Sequence, residues 1–217
     1  MKIAILGATG FVGKVLLSKV LESGHEVKAL VRDPEKLGEL RDHVEYVVGD
    51  ALDPESVSSA VAGSEVVLST IAPSKRNPGD PHRYEKTMKN IVSAMEAAGL
   101  KRLIHIGGAG YSVGEDEQWT MKRRLLRGGL LLFAKPILDA KWLEWKILST
   151  SSIDWTLIRP PAISTTAPSG SLVADEKRLP EISVNILDLA DFMIQQITSS
   201  AWIRKSPLVS SRRKERI

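Results

Sequence analysis

No cysteine occurs in the 217 residues. That excludes disulfides, thiolate metal sites and a cysteine nucleophile. It also fits a reducing compartment, so the cytoplasm is the expected location, and no metal site of another kind is expected. Long hydrophobic runs are missing too: no stretch approaches the roughly eighteen apolar residues that a membrane span needs. The start, Met1-Lys2-Ile3, leads straight into an apolar run, so no cleavable leader is expected. A general basic surface is lacking as well. The formal net charge is +4, but Arg204, Lys205, Arg212, Arg213, Lys214 and Arg216 stand against Glu215 alone, a local +5 that leaves the rest of the chain at −1. A solvated basic end is expected, and no nucleic-acid partner.

The most informative residues are 2 to 13, Lys-Ile-Ala-Ile-Leu-Gly-Ala-Thr-Gly-Phe-Val-Gly. An apolar run, Ile3–Leu6, ends in three glycines spaced three apart. Val12, Val15, Leu16, Val20 and Leu21 then recur at helical spacing, so the glycines lie where a strand becomes a helix. A helix N-terminus offers unpaired backbone N–H groups and a partial positive charge, and missing Cβ atoms let a phosphate approach. Gly7 is expected to make the turn, Gly10 to admit a pyrophosphate and Gly13 to let helix and strand pack closely. Ala8, Thr9, Phe11 and Val12 complete the cofactor-binding segment. No Gly-Lys-Ser/Thr follows, which argues against a nucleoside triphosphate and for a dinucleotide.

Apolar runs and helical patterns alternate. The runs are Ile3–Leu6, Val27–Val31, Val44–Val48, Val66–Ser69, Leu103–Ile106 and Trp155–Ile158. The helical patterns are Val12–Leu21, a short one after Pro34, Pro54–Val61, His82–Ala98 and Ile137–Leu148. This rhythm predicts an α/β fold, a doubly wound parallel sheet with its ligand at the carboxyl ends of the strands. Asp33-Pro34 and Asp53-Pro54 read as helix starts. A later helix is expected from about Leu187 to Thr198, with a short strand near Leu208–Val209. One domain is expected over 1–217, with a nucleotide-binding core at 1–159, a substrate-side part at 160–205 and a basic tail at 206–217.

The second strand ends Ala29-Leu30-Val31-Arg32-Asp33. NAD sites place an acidic residue about there for the ribose 2′-hydroxyl. Leu30 and Val31 are not acidic, and Arg32 follows, able to grip a 2′-phosphate. NADP(H) is therefore favoured over NAD(H).

Gly7-Ala8-Thr9-Gly10 resembles the extended and atypical branches of the short-chain dehydrogenase/reductase superfamily. The resemblance implies that Asp50 and Ala51 hold the adenine edge and that Ile71 and Ala72 pack against the dinucleotide. The superfamily's usual catalytic groups are a serine after strand five and a Tyr-x-x-x-Lys on the next helix. No tyrosine here is followed four residues later by lysine; anchored on Glu144 and Asp154-Trp155-Thr156, the pair falls on Pro136 and Ala140, and glycines replace the serine.

Leu103-Ile104-His105-Ile106-Gly107-Gly108-Ala109-Gly110, with Asp154-Trp155-Thr156, resembles the atypical NAD(P)H-binding, NmrA-like and flavin reductase/biliverdin-IXβ reductase-like proteins. In the biliverdin-IXβ/flavin reductases a serine after strand five and a histidine after the Pro-Pro assist the substrate; here those positions read Gly108 and Ala162. The resemblance implies an oxidoreductase passing hydride from NADPH to a small conjugated acceptor such as a quinone or a flavin, FMN or FAD. Such an acceptor takes its proton from water, and catalysis is mainly proximity and orientation. Gly107 and Gly108 are expected to leave room for a flat ring, and Pro160 and Pro161 to brace the nicotinamide. Tyr111 is the candidate proton donor or ring-orienting group, ahead of Ser112 and His82. Two alternatives stand beside this: an NmrA-like sensor that binds NADP(H) without turnover, and an epimerase or isomerase using bound NADP.

Three further expectations concern packing. His105 reads as a core histidine, Trp142 and Trp145 as core aromatics against the sheet, and Asp188 as a helix-capping aspartate. The basic, apolar segment 121–133 is expected to be a helical flap over the pocket, with a dimer contact or a membrane-surface patch as alternatives.

Overall fold

The computed structural model describes residues 1–73, 81–113, 117–118, 121, 124, 128, 135–166, 172–179 and 181–211. Six parallel strands form the central sheet: β1 (Lys2–Leu6), β2 (Glu26–Val31), β3 (Glu45–Val48), β4 (Val66–Ser69), β5 (Arg102–Ile106) and β6 (Asp154–Ile158). Their order is β3-β2-β1-β4-β5-β6. The order reverses between β1 and β4, which opens a crevice at their carboxyl ends.

The helices with described bounds are α1 (Phe11–Glu22), α2 (Pro54–Val61), α3 (Pro81–Ala97), α4 (Lys135–Thr150) and α5 (Ile186–Gln195). Strand residues alternate between the two faces. Ile3, Ile5, Val66, Leu68, Ile104 and Ile106 pack with α1 and α5. Ala4, Leu6, Val67, Leu103 and Leu157 pack with α2, α3 and α4. Because both faces are covered, the strands read as continuous apolar runs rather than alternating ones.

The expected alternation is present, with differences at the edges. The segment after Pro34 is a 3-10 stretch, Pro34–His43, broken at Gly38, where φ is +59°. Three short strands went unforeseen: β7 (Ala162–Ser164), β8 (Leu172–Asp175) and β9 (Ser183–Asn185). They are too short to carry a period, and β7 and β9 exist by pairing with each other. The tail begins later than residue 206. β10 (Leu208–Ser211) is paired antiparallel with β8, and Ser206 through Ser210 are buried. Residues 212–217, and the loop expected over 164–170 from residue 167 on, lie outside the described residues. So does most of 121–133.

Two packing expectations are corrected. Trp142 is 45% exposed and has the Lys146 ammonium over its ring. The buried face of α4 runs through Ala140, Lys141, Glu144 and Leu148, about a third of a turn away from Trp142; Trp145 does pack on the core. The cap of α5 is Asn185, whose side chain accepts from Leu187 N and Asp188 N. Asp188 lies inside the first turn, where it accepts from Ser211 Oγ at 2.8 Å.

Candidate functional site

At the carboxyl end of β1 the chain turns on Gly7, at φ +89°. Gly10 N donates to Gly7 O at 3.0 Å. A Cβ on Gly13 would lie 2.0 Å from Gly7 O, so only glycine lets α1 start this close to the strand. A Cβ on Gly10 would meet only Gly7 O, at 3.2 Å. Among the described residues no side chain caps Gly10, and no acidic residue stands in the first turn of α1. The helix therefore presents its first N–H groups and dipole with nothing of its own to neutralise them, which suits the pyrophosphate of a dinucleotide. Thr70 Oγ1, at the end of β4, donates to Gly7 O at 3.0 Å and ties the turn to the far side of the crevice. Ala8 is buried, Thr9 is half-buried, and Phe11 is 62% exposed at the mouth.

The neighbouring strand ends hold the other expected residues. Arg32 is exposed directly after β2. Asp33 accepts from Glu35 N at 3.1 Å, so it caps the 3-10 stretch. Asp50 Oδ1 accepts from Leu52 N at 3.0 Å, shaping the Asp50-Ala51 turn, and Asn90 Nδ2 of α3 donates to Ala51 O at 3.1 Å. Ile71 and Ala72 continue from β4, half-buried and exposed respectively. Lys75 and Arg76, in the loop that follows, lie outside the described residues.

After β5, Gly107 and Gly108 differ. A Cβ at Gly107 would sit 2.9 Å from Leu157 Cδ1, so that glycine serves packing against β6; at Gly108 no described residue lies within 4 Å. Pro160 O accepts from Ala109 N at 3.0 Å, which fixes the Pro160-Pro161 corner to the same loop. His82 is an exposed residue early in α3, with Nδ1 2.8 Å from Glu85.

Behind this edge lies a buried polar cluster drawn from three elements. Lys141 of α4 donates to Glu144 Oε1 at 2.9 Å, to Tyr84 Oη of α3 at 3.1 Å and to Ile106 O of β5 at 3.0 Å. Tyr84 Oη also lies 2.7 Å from Glu144 Oε1 and 3.0 Å from Ile71 O. His105 Nε2 contacts the same carboxylate oxygen. His105 and Glu144 are fully buried, and Lys141 nearly so.

Burial pushes the Glu144 carboxyl up, but the Lys141 and His105 charges outweigh it and hold it below the usual carboxylate range. Burial pulls the Lys141 ammonium down, against the opposing pull of Glu144. Burial and then Glu144 push the Tyr84 phenol well up. The cluster grips the carbonyls of Ile71 and Ile106, the points where β4 and β5 leave the sheet toward the crevice.

Tyr111 joins this interior. It is 6% exposed, and burial followed by Glu144 raises its phenol well above the ordinary value. Its carbonyl accepts from Arg159 Nη1 at 3.1 Å, and the guanidinium lies 5.7 Å from its ring centre. Arg159, wholly buried, pairs with Glu117 through Nη2 at 2.9 Å.

Sequence reasoning tested Ala140 for the lysine and so passed over Lys141, one residue on. It did not see that Tyr84, 57 residues away, meets it. The available signal was a charged pair, Lys141 and Glu144, on the otherwise apolar face of a helix.

Comparison with known proteins agrees with this geometry. The sequence model of a family described as NAD(P)H-binding matches residues 7–200. The uncharacterized protein YwnB of Bacillus subtilis is 30% identical over 172 residues, covering 75% of this chain and 72% of its own. Other curated relatives are longer, and the chain covers 44% of one and 57% of another. Among solved structures, a wide-type short-chain dehydrogenase/reductase from Veillonella parvula in complex with NADP has TM-score 0.77 at 18% identity, over 97% of this chain and 94% of that one. ChuY, an anaerobilin reductase from Escherichia coli O157:H7, has TM-score 0.78 at 18% identity over 100% of both chains. At that identity the structures share the fold.

Proposed function

The chain belongs to the NAD(P)H-binding family, and from that premise we propose that it is an NADPH-dependent reductase of a quinone, a flavin or a similar conjugated ring. The observation that carries the reading is the uncapped N-terminus of α1 behind Gly7 and Gly10, with Arg32 at the next strand end. The first N–H groups of α1 hold the pyrophosphate, and Arg32 forks onto a 2′-phosphate, which favours NADP(H) over NAD(H). Asp50 and Ala51 flank the adenine, and Ile71, Ala72, Pro160 and Pro161 line the path of the dinucleotide.

When bound, the reduced cofactor supplies a hydride, two electrons with one proton, to an electrophilic ring atom of the acceptor. The chain's part is to orient and to exclude competing poses. At Gly108 a side chain would meet no described residue within 4 Å, which leaves room for a flat ring. Lys141 and Tyr84 pin the carbonyls of Ile106 and Ile71, which keeps the two loops at a set separation. A second proton comes from water, because a reduced flavin or quinone is far less basic than an alkoxide. Tyr111, buried and with its phenol pKa raised, keeps its own proton and shapes the pocket wall.

The test is NADPH oxidation under anaerobic conditions with FMN, FAD, menadione and dichlorophenolindophenol as acceptors. Gly10→Asp, which sets a carboxylate where the pyrophosphate belongs, is the blank. Turnover that vanishes in the variant supports the reductase. Tight NADPH binding without turnover on any acceptor replaces it with the sensor reading.

A further inference from the structure

A cavity of about 440 Å³ lies away from the glycine turn, at the outer edge of the sheet beyond β6. Its walls come from α4 (Trp145), from β6 (Trp155), from Glu117 and from two segments that flank the edge, one bearing Glu176 and Lys177, the other Arg204 and Lys205. The volume is that of a small-molecule site. From this we propose an accessory binding site for a planar aromatic carboxylate, separate from the hydride-transfer edge.

Four observations converge. First, Trp155 is only 4% exposed, yet its Nε1 makes no hydrogen bond among the described residues. A buried N–H without a partner is costly and rare, and an acceptor oxygen on a ligand relieves it. Second, two indoles provide flat apolar walls, which suit an aromatic ring. Third, the charges favour an anion. Lys177, Arg204 and Lys205 line the cavity against Glu117 and Glu176; Glu117 is paired with the buried Arg159 and Glu176 with Lys205 at 3.5 Å, so the lining as a whole carries a net positive charge.

Fourth, the wall is held in an unusual backbone. Arg204 sits at φ +56°, the one non-glycine residue with positive φ among those described, and such conformers cluster at ligand sites. Its amide donates to Trp155 O at 2.6 Å, and its guanidinium to Ser151 O at 3.0 Å, so the strain fixes the wall against Trp155 itself.

The site also has a physical link to the crevice. Glu117 forms part of the cavity wall and binds Arg159, and Arg159 in turn holds the Tyr111 carbonyl. The cavity wall and the loop after β5 thus share the Glu117–Arg159 ion pair. This proposal goes beyond the reductase reading and stands or falls without it.

Isothermal titration of the full chain with 2-naphthoate, and with neutral 2-naphthalenemethanol as control, tests the site. The carboxylate should bind at least about tenfold tighter than the alcohol. Trp155→Phe, which keeps an aromatic wall but removes the donor and the second ring of the indole, should weaken naphthoate about tenfold. Lys205→Gln removes a half-exposed cation of the cavity wall, one that also lies 3.5 Å from Glu176, and should weaken it about threefold, which keeps the test sound if Trp155→Phe does not fold. Saturating NADPH should leave the affinity within about threefold. Absence of binding at millimolar naphthoate, equal affinity for the alcohol, indifference to both substitutions, or displacement by NADPH would each overturn the proposal.

Discussion

The glycine turn and the buried cluster lie on opposite sides of the same crevice and are built in opposite ways. The turn spans seven consecutive residues, and its chemistry belongs to the backbone: a positive φ at Gly7, a contact at Gly13 that tolerates no Cβ, and N–H groups left open at the start of α1. The cluster uses side chains at 84, 105, 141 and 144, from two helices and a strand, and its chemistry is mutual charge compensation among buried groups. A backbone site is read by the motif that makes it. A side-chain site of this kind has no motif, because the residues become neighbours only after the sheet has ordered its strands.

The contrast predicts different failures. Gly13→Ala should have the largest effect. Its Cβ would lie 2.0 Å from Gly7 O, so α1 must move, and NADPH affinity by fluorescence titration should fall by about a hundredfold or more. Affinity within threefold of the parent would mean that the close approach of helix and strand is not needed.

Lys141→Met should act on stability first. It leaves the fully buried Glu144 without its ammonium partner, a loss of about 3–5 kcal/mol for breaking a buried pair. Urea denaturation measures it, and the double variant Lys141→Met/Glu144→Leu should recover much of the loss, since neither charge then remains unpaired. If the double variant is no better than the single, charge compensation does not hold this region together.

Arg32→Ala should spare folding and weaken NADPH about ten- to a hundredfold, with NADH changed less than twofold. Equal losses for both cofactors would remove the 2′-phosphate role.

The cluster should also show in acid. The folded pKa of Glu144 is depressed, so its contribution is fully present above the unfolded value, about 4.3, and is lost as pH falls through the folded value. Denaturation midpoints should therefore decline below about pH 4.3, and more steeply in the parent than in Glu144→Gln. Parallel profiles would show that other carboxylates carry the acid sensitivity. The smallest effect is expected for Tyr111→Phe, less than about threefold in kcat with menadione if the proton comes from water; a loss of two orders would make Tyr111 the donor.

Legibility followed the same division. Val66–Ser69 and Pro54–Val61 were readable to the residue because an apolar run bounded by polar ones, or an Asp-Pro start, specifies its own ends. β7 and β9 were not, since three residues carry no period and their pairing partner lies about twenty positions on. Trp142 and Trp145 show the limit of spacing alone: three apart on a helix, they point 60° apart, enough for one to be packed and the other to be 45% exposed. The Tyr-Lys pairing was sought along one helix and is absent there, whereas Lys141 meets a tyrosine from another helix.

By itself the sequence determined the strand-helix alternation, the parallel sheet and the glycine turn at the start of α1, because each follows from short-range periodicity and from what glycine alone permits. The tertiary structure decided which charges are buried together, which tryptophan faces water, and that the edge beyond β6 encloses a cavity. Those depend on distances between residues far apart in the chain, and only the packed sheet and its helices set such distances.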